Sequence, residues 1–262
     1  RRQRQMCIRD SHTVLRYPGR LEAGNEQDDG VTASDQTGFP SCVQHISHDI
    51  TGIKLEPIVA LSSSRTVGAE VLSVLSPHQQ SEGFFHDWSA ARALMLLEAQ
   101  IAALKKPFPC DNLFINLPIT LLTIPEMFQR LLQLNSPPLN IELVEPASFF
   151  SLSDPARLRV SCALQQLTAQ GHRIWLDDID EASGRAFLSC RMPLSGIKID
   201  KIAFWRLRAT PALANLVTLC SKIAENVLIE GIETETDRKF ALQAGARFGQ
   251  GYYWPSWRWQ ED

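Results

Sequence analysis

Ionisable residues in this chain stand repeatedly at the ends of short apolar runs. Leu113-Phe114-Ile115 leads into Asn116, and Asn140-Ile141 leads into Glu142, with Glu145 three residues on. Ile174-Trp175-Leu176 meets Asp177-Asp178, Gly196-Ile197 meets Lys198, Ile199 and Asp200, and Val227-Leu228-Ile229 meets Glu230, followed by Glu233. In a β/α barrel the C-terminal strand ends converge on one mouth, where catalytic groups gather. Carboxylates crowded there repel one another unless cations neutralise them. Oxygen donors from Asp, Glu and Asn suit hard ions such as Mg²⁺ or Mn²⁺ rather than zinc. Two such ions, about 3.5–4 Å apart, activate a water and stabilise the leaving oxygen of a phosphodiester. Lys198 could hold the attacking water or a phosphate oxygen as a point charge. An acid after a strand can instead be the N-cap of the next helix, and Asp177-Asp178 are open to that reading.

The elements that would position these groups follow from apolar periodicity. Strand-like runs lie at Ile53–Leu61, Val67–Leu75, Leu113–Leu117, Asn140–Val144, Arg173–Leu176, Gly196–Ile199, Val227–Ile229 and Ala246–Phe248. Helix-like segments lie between them at Phe85–Lys105, Ile119–Leu134, Pro155–Gln170, Glu181–Cys190, Pro211–Glu225 and Thr234–Ala244. In Pro155–Gln170, Leu158, Cys162 and Leu164–Leu167 fall near a helical period, with Asp154 as N-cap before Pro155. Gly171 and Gly245 suit positions just past helix ends. Alternating strands and helices imply parallel β/α units, and this many strands in this length favours an α/β barrel over an open sheet. Residues 1–48 are polar and lack a sustained apolar period, so they read as a disordered or non-native N-terminal extension before one domain over 49–262.

Composition narrows the function classes. The 262 residues are 44% hydrophobic and carry a net charge of −3, which leaves no basic footprint for a nucleic-acid polymer. No run of ~18 apolar residues crosses a bilayer, and no apolar stretch follows the N-terminal arginines as in a signal peptide. A cytoplasmic location is the expectation. The 6 cysteines have no zinc or redox spacing, and Cys162 and Cys220 read as small buried hydrophobes. Tyr252, Tyr253, Trp254, Trp257 and Trp259 read as packing at the barrel's end, and His45 and His48 are assigned no site.

At these residues the sequence resembles the EAL domain family of cyclic di-GMP phosphodiesterases, from about Ile53 to Trp257. Glu70-Val71-Leu72 resembles the signature Glu-Ala-Leu, and Asn116-Leu117 its Asn-Leu-Ser segment. Glu142-Leu143-Val144-Glu145 resembles Glu-x-Thr-Glu, Asp177-Asp178-Ile179 resembles Asp-Asp-Phe, and Lys198-Ile199-Asp200 matches Lys-Ile-Asp. Glu230-Gly231-Ile232-Glu233 and Gln250-Gly251-Tyr252 complete the series in the family order.

The resemblance implies a TIM-like (β/α)8 barrel with an antiparallel first strand. It also implies Mg²⁺- or Mn²⁺-dependent hydrolysis of cyclic di-GMP to linear pGpG in bacterial signalling. Carried over by position, Glu70, Asn116, Glu142 and Asp177 hold one ion, with Asp177 bridging, and Asp178 and Glu233 serve the second. Glu230 is the candidate general base, Lys198 contacts the nucleophilic water, and Gln250 helps position it. Glu70, Leu72, Asn116 and Asp200 contact substrate. A homodimer or a regulatory protein partner is compatible with this family.

Several positions depart from the pattern. Val74 stands where the family has a phosphate-contacting Arg, and Glu56 where it has Gln. Val144, Pro146 and Trp257 replace Thr, Ser and Pro, and Ile179-Asp180-Glu181-Ala182 replaces the glycine-rich Phe-Gly-Thr-Gly. The alternative reading is therefore a catalytically silent EAL-like module acting through a protein partner or through bound cyclic di-GMP.

Overall fold

A computed structural model describes residues 45–79, 84–85, 87–104 and 112–259. The strands are β1 (Ile50–Ala60), β2 (Arg65–Leu75), β3 (Leu113–Pro118), β4 (Asn140–Val144), β5 (Arg173–Ile179), β6 (Leu194–Ile199), β7 (Asn226–Ile229), β8 (Phe248–Gly249) and β9 (Trp257–Trp259). They join in the order β2-β3-β4-β5-β6-β7-β8-β1-β9, and β1 also pairs with β2, which closes the barrel. From β2 through β8 the neighbours are parallel, whereas β1 is antiparallel to both β2 and β8. The antiparallel first strand is thus as expected. A tight turn after Ala60, with Ser64 at φ 55°, produces it by folding β1 directly onto β2.

The helices are α1 (Ala90–Ala103), α2 (Pro125–Leu132), α3 (Asp154–Ala169), α4 (Glu181–Phe187), α5 (Lys201–Leu207), α6 (Ala212–Ser221) and α7 (Glu235–Gln243). Their starts follow local chemistry. Ser89 accepts the Arg92 N–H ahead of α1, and Thr234 and Asp237 form a reciprocal capping box on α7. Gly171 and Gly245 take φ of +91° and +93° just past α3 and α7, as their spacing predicted. Among the described residues no helix is long and apolar enough to cross a membrane.

Three sequence expectations are corrected. The segment 119–134 is a 3-10 turn (Ile119–Thr123) followed by α2, because Pro125 starts a fresh helix at its first turn. In α3 the N-cap is Ser153, with Asp154 already helical. The buried stripe there is Ala156, Val160, Ala163, Leu164 and Leu167, which leaves Leu158 66% exposed and Cys162 at the surface. Cys220 is buried as expected. Helix α5 and strand β9, which periodicity did not reveal, complete the fold.

Period-two alternation sorts the strand residues into an outer core and a lumen. Inside the barrel, Ile58, Phe114, Trp175 and Leu228 form their own apolar cluster, with Val67 and Phe248 against it. Phe114 and Trp175 meet edge-to-face at 5.0 Å, and the Trp175 indole N–H donates to Asn140 Oδ1 at 3.0 Å. This plug lies two residues along the strands from the ionisable set. It needs Gly196, since a Cβ there would stand 2.2 Å from Trp175 Cζ3. Gly196→Ala should lower the unfolding free energy by about 1–3 kcal/mol through overpacking, as read from the midpoint of urea denaturation.

Candidate active site

One layer above the plug, the same alternation aims Glu56, Glu70, Asn116, Glu142, Asp177, Lys198, Glu230 and Gln250 into the mouth. Lys198, only 1% exposed, is the hub. Its Nζ lies 2.8 Å from Glu230 Oε1, 3.0 Å from Glu142 Oε2, 3.1 Å from Glu70 Oε2 and 3.4 Å from Asp177 Oδ1. Glu70 is held further by Asn116 Nδ2 at 2.8 Å and by Gln250 Nε2 at 2.6 Å. Gln250 reaches that place because the chain behind it docks on the segment after Glu230. Gly251, at φ +149°, lies so close to Ile232 that a Cβ would stand 2.3 Å from its carbonyl oxygen.

Three buried carboxylates and the half-buried Glu230 share one ammonium, which leaves excess negative charge, and proton affinities record it. Burial pushes Glu142 well above the usual carboxylate range, the neighbouring Glu70 adds to this, and Lys198 opposes it only in part. Burial likewise raises Glu230 well above that range despite Lys198, with Asp177 and Asp178 adding to the rise. Glu70 goes the other way: burial is outweighed by Lys198 together with the amides of Asn116 and Gln250. Burial alone would lower Lys198, but its carboxylates, Asp177 foremost, hold it well above its ordinary value.

The arrangement fits a hard divalent cation on three observations. One carboxylate oxygen each from Asp177, Asp178 and Glu230 lies within 4.8 Å of the others. Glu142 Oε1 is buried and, among the described residues, meets no hydrogen-bond donor. All donors are oxygens, the preference of Mg²⁺ and Mn²⁺. Asp178 enters the cluster from a left-handed backbone, φ 51°, which Asp adopts more readily than most non-glycine residues.

Not every candidate converges. Glu233 is exposed and outside the three-acid cluster, and its backbone N–H donates to Asp237 Oδ2. Asp200 caps α5, its Oδ1 accepting the Ile202 N–H at 3.0 Å. Leu72 sits beyond Glu70 on the same face of β2, opposite Lys54. Asp177 and Asp178 are not caps, because Asp180 caps α4 through the Ser183 N–H. With Glu181 and Ala182 inside α4, the positive φ falls on Asp178 rather than on Asp180. Sequence reading did not single out Lys54, whose Nζ lies 2.6 Å from Glu56 Oε1. Its alternation with Ile53 and Leu55 on β1 was the available signal. Trp254 and Trp257 pack against the outer core, as expected for the C-terminal aromatics, while Tyr252 and Tyr253 are exposed.

Comparison with known proteins places these features in context. The EAL domain family pattern matches residues 44–256. A probable cyclic di-GMP phosphodiesterase, PdeB of Escherichia coli (strain K12), is 25% identical over 227 residues, covering 76% of this chain and 41% of that protein. The chain thus spans less than half the length of that relative. Among solved structures, the FimX EAL domain from Pseudomonas aeruginosa bound to c-di-GMP superposes with a TM-score of 0.64 at 19% identity, covering 80% of this chain and 92% of that one. The calcium/cy-diGMP complex of BlrP1 from Klebsiella pneumoniae gives 0.63 at 23% identity, covering 80% and 59%. At these identities the likeness is one of fold.

Proposed function

The chain belongs to the EAL domain family, and from that footing we propose that its mouth hydrolyses one phosphodiester of cyclic di-GMP, giving linear pGpG, with Mg²⁺ or Mn²⁺ bound. The observation that carries this reading is the excess of buried carboxylate around Lys198, beside the three-acid cluster of Asp177, Asp178 and Glu230. Lys198 brings one positive charge to this acid-lined lumen, and the unsatisfied Glu142 oxygen is open to a further cation that would neutralise the remainder. Glu70, Asn116, Glu142, Asp177, Asp178 and Glu230 would hold the ions, with Glu233 reaching through water. When bound, they would lower the pKa of a coordinated water and neutralise charge on the phosphate.

The protein's own groups then divide the work. Glu230, whose proton affinity is raised by burial, takes a proton from the attacking water as general base. The water oxygen bonds to phosphorus, one P–O ester bond opens, and the leaving ribose oxygen takes up a proton equivalent to the one Glu230 accepted, which returns Glu230 to its carboxylate form. Gln250 spends its Nε2 on Glu70 and Glu56, which leaves its buried Oε1, with no donor among the described residues, as an acceptor for that water. Lys198 fixes the directions of the four carboxylates by binding all of them.

The second reading, a silent binding module, is favoured by Val74 and by the absence of glycine between Asp178 and α4. Labelled cyclic di-GMP titrated in Ca²⁺, beside turnover in Mn²⁺, separates the two. Binding with product formation supports the enzyme, and binding without product supports the module.

A further inference from the structure

Strand β1 brings a second cation to the mouth. Lys54 alternates with Ile53 and Leu55, both buried in the outer core, and so shares the lumen face with Glu56. Its Nζ lies 2.6 Å from Glu56 Oε1, and Glu56 Oε2 lies 3.3 Å from Gln250 Nε2, which itself donates to Glu70. A continuous polar path therefore runs from Lys54 to the acidic centre. Along β1–β8 the cations facing the mouth are Lys54 and Lys198, and the register partner of Lys54 on β9 is Arg258. Lys198 lies deep and is surrounded by four carboxylates, whereas the Lys54 side chain keeps 14% exposure nearer the rim.

A phosphodiester entering this mouth approaches a wall of carboxylates, and an accessible cation at the rim is what offsets that repulsion. The facing positions on β2 do not supply one: Leu72 stands opposite Lys54, and Val74 stands opposite Gly52. We propose that Lys54 receives a phosphate oxygen of the substrate, with Glu56 holding its ammonium over the mouth. This assignment rests on the mouth taking cyclic di-GMP. An ammonium has three donors, so the pairing with Glu56 does not by itself preclude donation to phosphate. Glu56 is then the tether that aims Lys54 rather than an uncompensated charge beside an anionic ligand.

The test is equilibrium binding of fluorescent cyclic di-GMP to the full chain in Ca²⁺. Lys54→Met should weaken binding about ten- to hundredfold, the size of one charge-assisted hydrogen bond. Lys54→Arg should stay within about threefold, since the charge is kept. The deciding variant is Lys54→Met with Glu56→Gln. If Lys54 touches phosphate the double variant remains weak, and if Lys54 only neutralises Glu56 the double variant recovers wild-type affinity and the assignment falls. Lys54→Met binding like wild type overturns it as well. Should Lys54→Met fail to fold, as judged by circular dichroism, Lys54→Gln carries the same comparison. Wild type that does not bind at all overturns the reading of the mouth, and this assignment with it. Wild type and Lys54→Met binding equally overturn the assignment alone.

Discussion

Lys198→Met should cost about 3–5 kcal/mol of unfolding free energy in chelator-treated protein, the usual result of stranding buried charge by removing one partner. Methionine fills much of the lysine volume, so packing alone would lose little. The loss comes from Glu70, Glu142, Asp177 and Glu230, each within 3.4 Å of the same Nζ, which would then face one another without a counter-ion. Protonation relieves that repulsion, so the deficit should grow as pH rises. Mn²⁺ should restore part of the loss by replacing the missing positive charge. Urea denaturation at neutral pH, with EDTA or Mn²⁺, reads all three effects. A variant within about 0.5 kcal/mol of wild type would mean that the carboxylates do not depend on Lys198.

Mn²⁺ should stabilise the wild-type protein by about 2.7 kcal/mol at a hundred times its dissociation constant. For a domain of this size that raises the unfolding midpoint by about 5–10 °C. Glu142→Gln should respond with opposite signs in the two conditions. Without metal it should be more stable than wild type, because it deletes a carboxylate that burial penalises. The sign follows from proton linkage. The folded state holds the Glu142 proton well above the ordinary value of 4.5, so it binds more protons than the unfolded chain there, and stability falls as pH rises above that value. Glu230 contributes in the same direction. Glu70 contributes oppositely: its lowered value gives stability present above the ordinary range and lost as pH falls through the folded value. With Mn²⁺ the Glu142→Gln advantage should reverse, since a ligand is gone. Thermal unfolding at pH 6 and pH 8, in EDTA and in Mn²⁺, checks the crossover. Identical midpoints in all four conditions would contradict it.

The barrel and its acidic mouth were legible because short apolar runs alternate with helix-like segments and end in ionisable residues. Glu142, Asp177, Lys198 and Glu230 lie two residues beyond Asn140, Trp175, Gly196 and Leu228, so lumen plug and site share one face of each strand. Turn glycines at 171 and 245 were equally plain, since a positive φ after a helix has few other solutions. The phase of α3 was not, because Leu158 and Cys162 mimic a core stripe that Ala156, Val160 and Ala163 in fact supply with smaller side chains. Helix α5 is short and begins at once after β6, with Asp200 serving as its cap, so the strand's polar end concealed a helix start. The sharing of Lys198 among four acids arises from strand-to-strand geometry that linear spacing does not encode, whereas the Lys54–Glu56 pair sits two residues apart on one strand and was within reach of the alternation.

The most direct measurement is incubation of the purified chain with cyclic di-GMP and Mn²⁺, with product separated by chromatography and Glu70→Ala run in parallel. Glu70 meets Lys198, Asn116 and Gln250 at once, so its removal dismantles the site at its centre while the apolar plug below is untouched. The expected result is linear pGpG from wild type and none above background from Glu70→Ala. No pGpG from wild type beyond the Glu70→Ala level would contradict the assignment of this mouth as a phosphodiesterase site.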